Sequence, residues 1–381
     1  MPDHDQSSRR VALIGTRGYP SYYGGFETAV RKLAPFLAES GWDVTVYGRD
    51  GATRQDDPDR DPRVKTRVTK GVETKSLSTL SYGLTAVLDA AIRKPDVALV
   101  MNVAHGFWLP LLKLRGVPTL VNVDGIEWER AKWGTLAKFM FRAGARTTAW
   151  WGNRLVYDAK EIARYWKVRF GTDGVFIPYG GEEPGDLPAP DESTHRGYAL
   201  VVARFVPENT IEEFIRAAEM IGETHDVIIV GSTGYGGELE ERVAALAEAN
   251  PRVTWLGHLS DDKRLLGLWQ HAGAYFHGHS VGGTNPALVQ AMLCGAPTVA
   301  RDTVYNREVL DDTAVFVPPV AAAIARAVTD LLQDPEAQER LSVAARERAR
   351  QHYTWADICR RYEAELESLL EGRPRWVTDQ P

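Results

Sequence analysis

Residues 277–297, HGHSVGGTNPALVQAMLCGAP, combine the residue types that can cradle a diphosphate. The glycine pair Gly282 and Gly283 lets the main chain approach a ligand closely. Thr284 or Asn285 is placed to cap a helix, and Pro286 suits the first helical position, where its missing N–H costs nothing. Ala287, Leu288, Ala291 and Met292 form an apolar stripe at helical spacing, which Gly295 and Pro297 bring to an end. Unpaired N–H groups and a partial positive charge at such a helix start favour phosphate oxygens. An ordinary loop-to-helix turn shows the same pattern, so the surrounding elements must decide.

Those elements alternate along the chain. Residues 11–15 (VALIG) read as a short apolar strand and TRGYPSYYGGFE as the loop after it. Phe26, Val30, Leu33 and Leu37 share one face of a helix that Pro35 should kink and Gly41 should end. A strand at 43–47 completes a β–loop–α–β unit, the start of a doubly wound sheet. The loop lacks the G-x-G-x-x-G spacing, so a nicotinamide cofactor is not indicated. Further strands are expected at 97–103, 119–123, 155–157 and 175–179, with helical segments between them.

The run 182–197 (EEPGDLPAPDESTHRG) is rich in proline and acidic residues, has no periodicity, and reads as a linker. Beyond it, strands at 198–203, 227–230, 253–256, 274–277 and 298–301 again alternate with helices, and a Gly-rich loop, GSTGYGG, occupies 231–237. Helices at 320–332 and 335–352 precede an amphipathic stretch at 353–370 carrying Trp355, Ile358, Tyr362 and Leu366. The expected plan is a loose tail (1–10), a first domain (11–181), the linker, a second domain (198–352), a crossover helix (353–371) and a second tail (372–381).

A length of 381 residues, with 44% hydrophobic and 25% charged residues, fits a two-domain globular protein. Two distant cysteines, Cys294 and Cys359, show no metal spacing and point to a reducing, cytoplasmic setting. The N-terminal ten residues lack the apolar core of a signal peptide, and the apolar run 97–112 is too short and too interrupted for a membrane span. The net charge of −6 divides into +8 for residues 1–180 and −14 for residues 181–381. A basic first half favours an anionic acceptor or an anionic membrane face. Within it, residues 130–154 mix Lys132, Lys138, Arg142, Arg146 and Arg154 with Trp133, Phe139, Phe141, Trp150 and Trp151. Such a helix either lies on a bilayer surface or packs one face on the core and solvates its basic face.

Six motifs occur in a fixed order: GTRGYPSYYGGFET (15–28), VNVDGIEWERAKWG (121–134), IPYGG (177–181), ARFVPENTIEEFIRAAE (203–219), GHLS (257–260) and GGTNPALVQAM (282–292). Together they resemble retaining, family-4-type glycosyltransferases of the GT-B fold. The narrower resemblance is to the bacterial rhamnosyltransferase-like branch with an N-terminal GTRG…GGFET motif, and it covers about residues 10–370. It implies an α/β protein with two Rossmann-like doubly wound domains facing a cleft and a C-terminal helix crossing back onto the first. It also implies transfer of a sugar from a nucleotide diphosphate donor with retention, without a bound metal or other cofactor.

Under that resemblance the leaving diphosphate would meet Arg204, Asn209 and the loop Gly283, Thr284 and Asn285, with Gly24 and Gly25 approaching from the first domain. Arg204 is the leading cation, because charge on the leaving group grows as the bond breaks. Gly231, Ser232, Leu256, Gly257, His258 and Gln290 are expected around the nucleoside. The family commonly places two glutamates eight residues apart around the phosphate loop; this chain has Gly282 and Gln290 there, and Asn209 stands where many relatives carry lysine. Asp124, Asp158 and Tyr179, at or just past strand ends, are candidates for contact with reacting hydroxyls, with Arg204 completing the catalytic set. Glu127, Trp128 and His105 are expected on the acceptor side.

The function expected is a cytoplasmic or inner-membrane-face sugar transferase using dTDP-rhamnose on a glycan, lipid-linked or polysaccharide acceptor, with no nucleic-acid partner. Three rivals stay open: a UDP-sugar transferase acting on a small soluble molecule, a nucleotide-sugar epimerase, and a sugar-nucleotide-binding relic. The relic is motivated by Gly282 and Gln290.

Overall fold

The computed structural model describes residues 9–22, 24–53, 56–72, 78–130, 134–191, 193–259 and 261–372. Most of both expected tails, together with Lys132, Trp133 and Ser260, lies outside the described residues. The chain divides into two compact units, residues 1–178 with 355–381, and residues 179–354.

The first unit opens with β1 (Arg10–Ile14), α1 (Gly25–Glu39), β2 (Asp43–Arg49), β3 (Lys65–Thr69), α2 (Ser78–Arg93) and β4 (Val97–Met101). It continues with α3 (Leu109–Leu114), β5 (Thr119–Asn122), α4 (Thr135–Trp151), β6 (Arg154–Tyr157), α5 (Lys160–Phe170) and β7 (Val175–Phe176). Among the described residues its seven strands form one parallel sheet in the order β3-β2-β1-β4-β5-β6-β7. Strands covered on both faces read as unbroken apolar runs, as β4 does with VALVM fully buried. Edge strand β3 (KTRVT) has no such run, which is why pattern reading passed over it; its charged side chains suit an exposed edge. Helix α1 continues past Pro35 and ends before Gly41, whose φ of 86° glycine accepts without strain.

The second unit holds β8 (Tyr198–Val202), α6 (Ile211–Ile221), β9 (Asp226–Val230), α7 (Glu238–Ala249), β10 (Val253–Trp255), α8 (Asp262–His271) and β11 (Ala274–His277). Then come α9 (Pro286–Leu293), β12 (Thr298–Arg301), α10 (Val304–Leu310), β13 (Ala314–Val317), α11 (Ala321–Leu332) and α12 (Pro335–His352). Its described strands form a parallel sheet, β10-β9-β8-β11-β12-β13, with an apolar cluster on each face. Residues 182–197 do not stand apart as a linker. They belong to this unit, where Leu187 N–H donates to Gln270 Oε1 (2.9 Å) and Gln270 Nε2 to Gly185 O (3.1 Å). A Pro-rich segment cannot pair its own backbone, and α8 side chains satisfy it instead.

The last helix, α13 (Trp355–Leu370), belongs to the first unit. Ile358, Cys359, Tyr362 and Leu366 are buried there, and Asn122 Nδ2 donates to Tyr362 Oη at 2.7 Å. Trp42 Nε1 donates to Glu363 (3.0 Å), and Arg9 and Arg154 pair with Glu367 and Glu365. These polar ties add to the burial of one helical stripe.

Candidate active site

In the second unit, four loops at the carboxyl ends of adjacent strands are laced together by backbone and short side chains. Phe205 N–H donates to Ser232 O (3.0 Å), Gly231 N–H to Gly257 O (2.7 Å) and Trp255 Nε1 to Gly231 O (3.0 Å). Thr210 Oγ1 donates to Gly278 O (2.6 Å), while Ser280 donates to Glu208 O through both N–H and Oγ, each at 2.9 Å. Asn306 Nδ2 holds His279 O and Arg301 O, both at 2.9 Å. Sequence reasoning missed Glu208, Thr210, Ser280 and Asn306 as loop braces, because a donor to a distant carbonyl leaves no local pattern.

The phosphate-loop expectation falls on ordered structure. Asn285, not Thr284, is the N-cap, accepting Ala287 N–H at 2.9 Å, and Pro286 opens α9. Gly282 adopts φ 100°, so the glutamate common at this position in relatives would be strained there. Arg204 is exposed, its carbonyl accepts Asn209 Nδ2 (2.9 Å), and its guanidinium has no protein partner among the described residues. A cation held at a strand end without a counter-charge is available to an anionic ligand.

Three expected ligand residues are spent elsewhere. Asn209 is buried and its amide braces the Arg204 carbonyl, so it shapes the loop. Gln290 accepts Glu182 N–H through Oε1 (3.1 Å) and donates to Glu182 O through Nε2 (2.6 Å), so both ends of its amide clamp one residue's backbone. Gly231 is present because its Cβ would lie 1.8 Å from Ala203 O at a φ of 130°. Ser232 receives Phe205 through its carbonyl, Leu256 N–H donates to Ile229 O (2.9 Å), and Gly257 accepts Gly231. His258 is exposed. At the end of β11, by contrast, His277 is buried, and desolvation pushes its imidazole well below the usual range.

The Gln290 clamp carries an expectation. A glutamate there accepts Glu182 N–H but cannot donate to Glu182 O, so Gln290→Glu should cost about 1 kcal/mol for the lost bond. Urea unfolding of Gln290→Glu beside Gln290→Ala measures it, and a glutamate variant as stable as wild type would refute the clamp.

In the first unit, Asp124 adopts φ 63° just past β5, its N–H donates to Asn122 Oδ1 (2.9 Å), and its carboxylate accepts Asn102 Nδ2 (3.2 Å). Asn102, past β4, has φ 76°. Two non-glycine residues held in the left-handed region at neighbouring strand ends mark a locally strained site. Asp158 is buried after β6; burial chiefly raises the pKa of the Tyr362 phenol, and the Asp158 charge adds to it. Gly24 is the exposed N-cap of α1, Gly25 is its first residue, and Glu27 Oε1 accepts Arg17 N–H at 3.0 Å. Tyr179 is the first residue of the second unit and is buried.

The acceptor-side expectations do not survive intact. Trp128 is 2% exposed, its Nε1 donates to Tyr165 Oη (3.1 Å), and it packs edge-on against Trp166 and Phe170, so it is core. Glu127 is buried and paired with Arg130 at 2.7 Å. His105 is buried, and desolvation lowers its pKa to about 4, so it is a neutral wall residue. Each looked accessible because it follows a strand, but the turns after β4 and β5 fold these side chains inward. Among the described residues no group of three His, Cys, Asp or Glu could hold a metal ion.

Residues 187–348 match the family model for glycosyl transferases group 1, and residues 24–180 match the glycosyl transferase 4-like domain. The chain is a glycosyltransferase of the GT-B fold. It is 24% identical to alpha-maltose-1-phosphate synthase from Mycolicibacterium smegmatis, covering 92% of this chain and 96% of that protein. The sucrose-phosphate synthase of Thermosynechococcus elongatus superposes with a TM-score of 0.77 at 19% identity, over 96% of this glycosyltransferase and all of that chain. Anabaena HepE in complex with UDP superposes with a TM-score of 0.72 at 15% identity, over 94% of this chain and all of that one.

Proposed function

We propose that this glycosyltransferase moves a hexose from a nucleoside diphosphate donor to a glycan, lipid-linked or polysaccharide acceptor, with retention and without metal. The carrying observation is the unpartnered Arg204 guanidinium on the same laced set of strand-end loops as the capped start of α9. Breaking the glycosyl–phosphate bond loads negative charge on the diphosphate, and a preorganised cation and N–H dipoles stabilise it. Asp124 is our first choice for contact with reacting hydroxyls, with Asp158 and Tyr179 after it. The first-choice donor is dTDP-rhamnose, supported by the GTRG…GGFET motif. A UDP-linked sugar is the second reading, favoured by the UDP bound in the similarly folded HepE. The φ of 100° at Gly282 and the Gln290 clamp on Glu182 give both residues a structural use, which supports an active transferase over a relic. Calorimetry with dTDP, UDP, GDP and ADP tests the donor, and binding of none of them would refute it. Nucleotide release that occurs only with acceptor present separates a transferase from an epimerase.

The acceptor side is proposed to work at the cytoplasmic face of an anionic membrane. No helix among the described residues is long and apolar enough to cross one. On α4, however, Leu136, Phe139 and Trp150 are 73%, 64% and 71% exposed beside the exposed Arg142 and Arg146. Apolar side chains among cations suit an anionic bilayer surface. The double variant Phe139→Ser/Arg142→Glu should lose about tenfold or more in sedimentation with phosphatidylglycerol vesicles, at about 1 kcal/mol per charge. Unchanged sedimentation would remove this surface.

A further inference from the structure

We infer that Arg301 is a second donor-binding cation, which grips the diphosphate together with Arg204; the inference rests on the transferase reading above. The strand order β8-β11-β12 puts Arg301, at the end of β12, on one side of β11 and the loop bearing Arg204, past β8, on the other. The glycine loop that enters α9 leaves β11 between them. Arg301 reaches across that exit. Its Nη1 donates to Thr210 Oγ1 (3.0 Å), and Thr210 Oγ1 donates in turn to Gly278 O (2.6 Å). The two loops are in close contact there, since a Cβ on Gly278 would lie 2.4 Å from Asn209 O. The guanidinium is thus anchored where the Arg204 loop meets the glycine loop.

Fold stability gives no reason for a cation at that place. Thr210 is the N-cap of α6, and its side chain makes no capping bond. The unpaired N–H groups of a helix start carry about half a positive charge, so a guanidinium beside them is opposed. Among the described residues no carboxylate comes within ion-pair distance of Arg301, and Glu212, in the first turn of α6, is paired with Arg216 instead. The rest of the fork is usable. Beyond the bond to Thr210, its N–H groups have no acceptor among the described residues, and they are not sealed from water, because Arg301 is only half-buried. An anion reconciles a cation with a helix start. Asn209 and Thr210 add no charge, so a diphosphate bound without metal would otherwise meet Arg204 alone. A planar fork with one edge anchored and the other free suits phosphate oxygens.

Titration calorimetry of the full chain with dTDP, UDP, GDP and ADP, beside thermal unfolding, tests the residue. Arg301→Gln removes the charge yet can still donate to Thr210. It should weaken the nucleotide that wild type binds by about tenfold or more, the worth of a charge-assisted hydrogen bond, with little change in melting temperature. Arg301→Lys keeps the charge and loses the fork; its affinity should fall in between, and it serves if the glutamine variant does not fold. Arg252→Gln removes an equal charge just before β10, at the opposite end of the sheet, and should change affinity less than about twofold. Equal losses at Arg252 and Arg301 would reduce the effect to net charge, and unchanged affinity in a folded Arg301 variant would make the residue a brace for Thr210. Either result overturns the inference. Failure of wild type to bind any of the four takes the donor reading down as well. Binding that is lost in Arg204→Ala but kept in Arg301→Gln removes this inference alone.

Discussion

Replacing Arg204 by alanine is expected to lower turnover by about 10²–10³-fold, the loss seen when one preorganised charge-stabilising group is removed from a transition state. The fold should not register the change. The side chain is exposed and its guanidinium has no protein partner among the described residues, while the loop around it is held by the Arg204 carbonyl, which alanine retains. Exposed substitutions of this kind stay within about 0.5 kcal/mol. Arg204→Lys should recover part of the rate, since a point charge replaces a planar fork. Steady-state kinetics beside thermal unfolding separates the effects. A turnover within threefold of wild type would mean that the diphosphate lies elsewhere.

The second large effect is expected at Gly231, and it should fall on stability as much as on ligand binding. An added Cβ would stand 1.8 Å from Ala203 O at a φ of 130°, so the strand ends of β8 and β9 would have to separate. Strain and overpacking together set the cost of Gly231→Ala at about 3 kcal/mol or more. Gly234 supplies the control. It also has positive φ (80°), but its Cβ would meet nothing, so Gly234→Ala should cost only about 1–2 kcal/mol. Denaturant unfolding of the pair distinguishes close backbone approach from conformation alone. Equal losses would show that the approach to Ala203 is not what requires glycine.

These outcomes bear on how much of the molecule its residue order decides. Apolar runs bounded by glycine and proline specified the buried strands, because a sheet covered on both faces leaves no alternation to confuse them. Pro286 marked the start of α9 and left its cap as Thr284 or Asn285, since capping is a local hydrogen bond within three residues; the structure selects Asn285. The exposure of Arg204 past β8 follows from a charged residue at the end of an apolar strand.

Tertiary structure alone decided what polar side chains are spent on. Gln290 looks like a ribose ligand by position, yet its amide is used by a backbone 108 residues away. Asn209 and Trp128 follow strands, as ligand-binding residues do, but one braces a loop and the other fills the core. Burial and hydrogen-bond satisfaction are sums over the whole fold, whereas propensity and capping are local; only the local terms can be read along the chain.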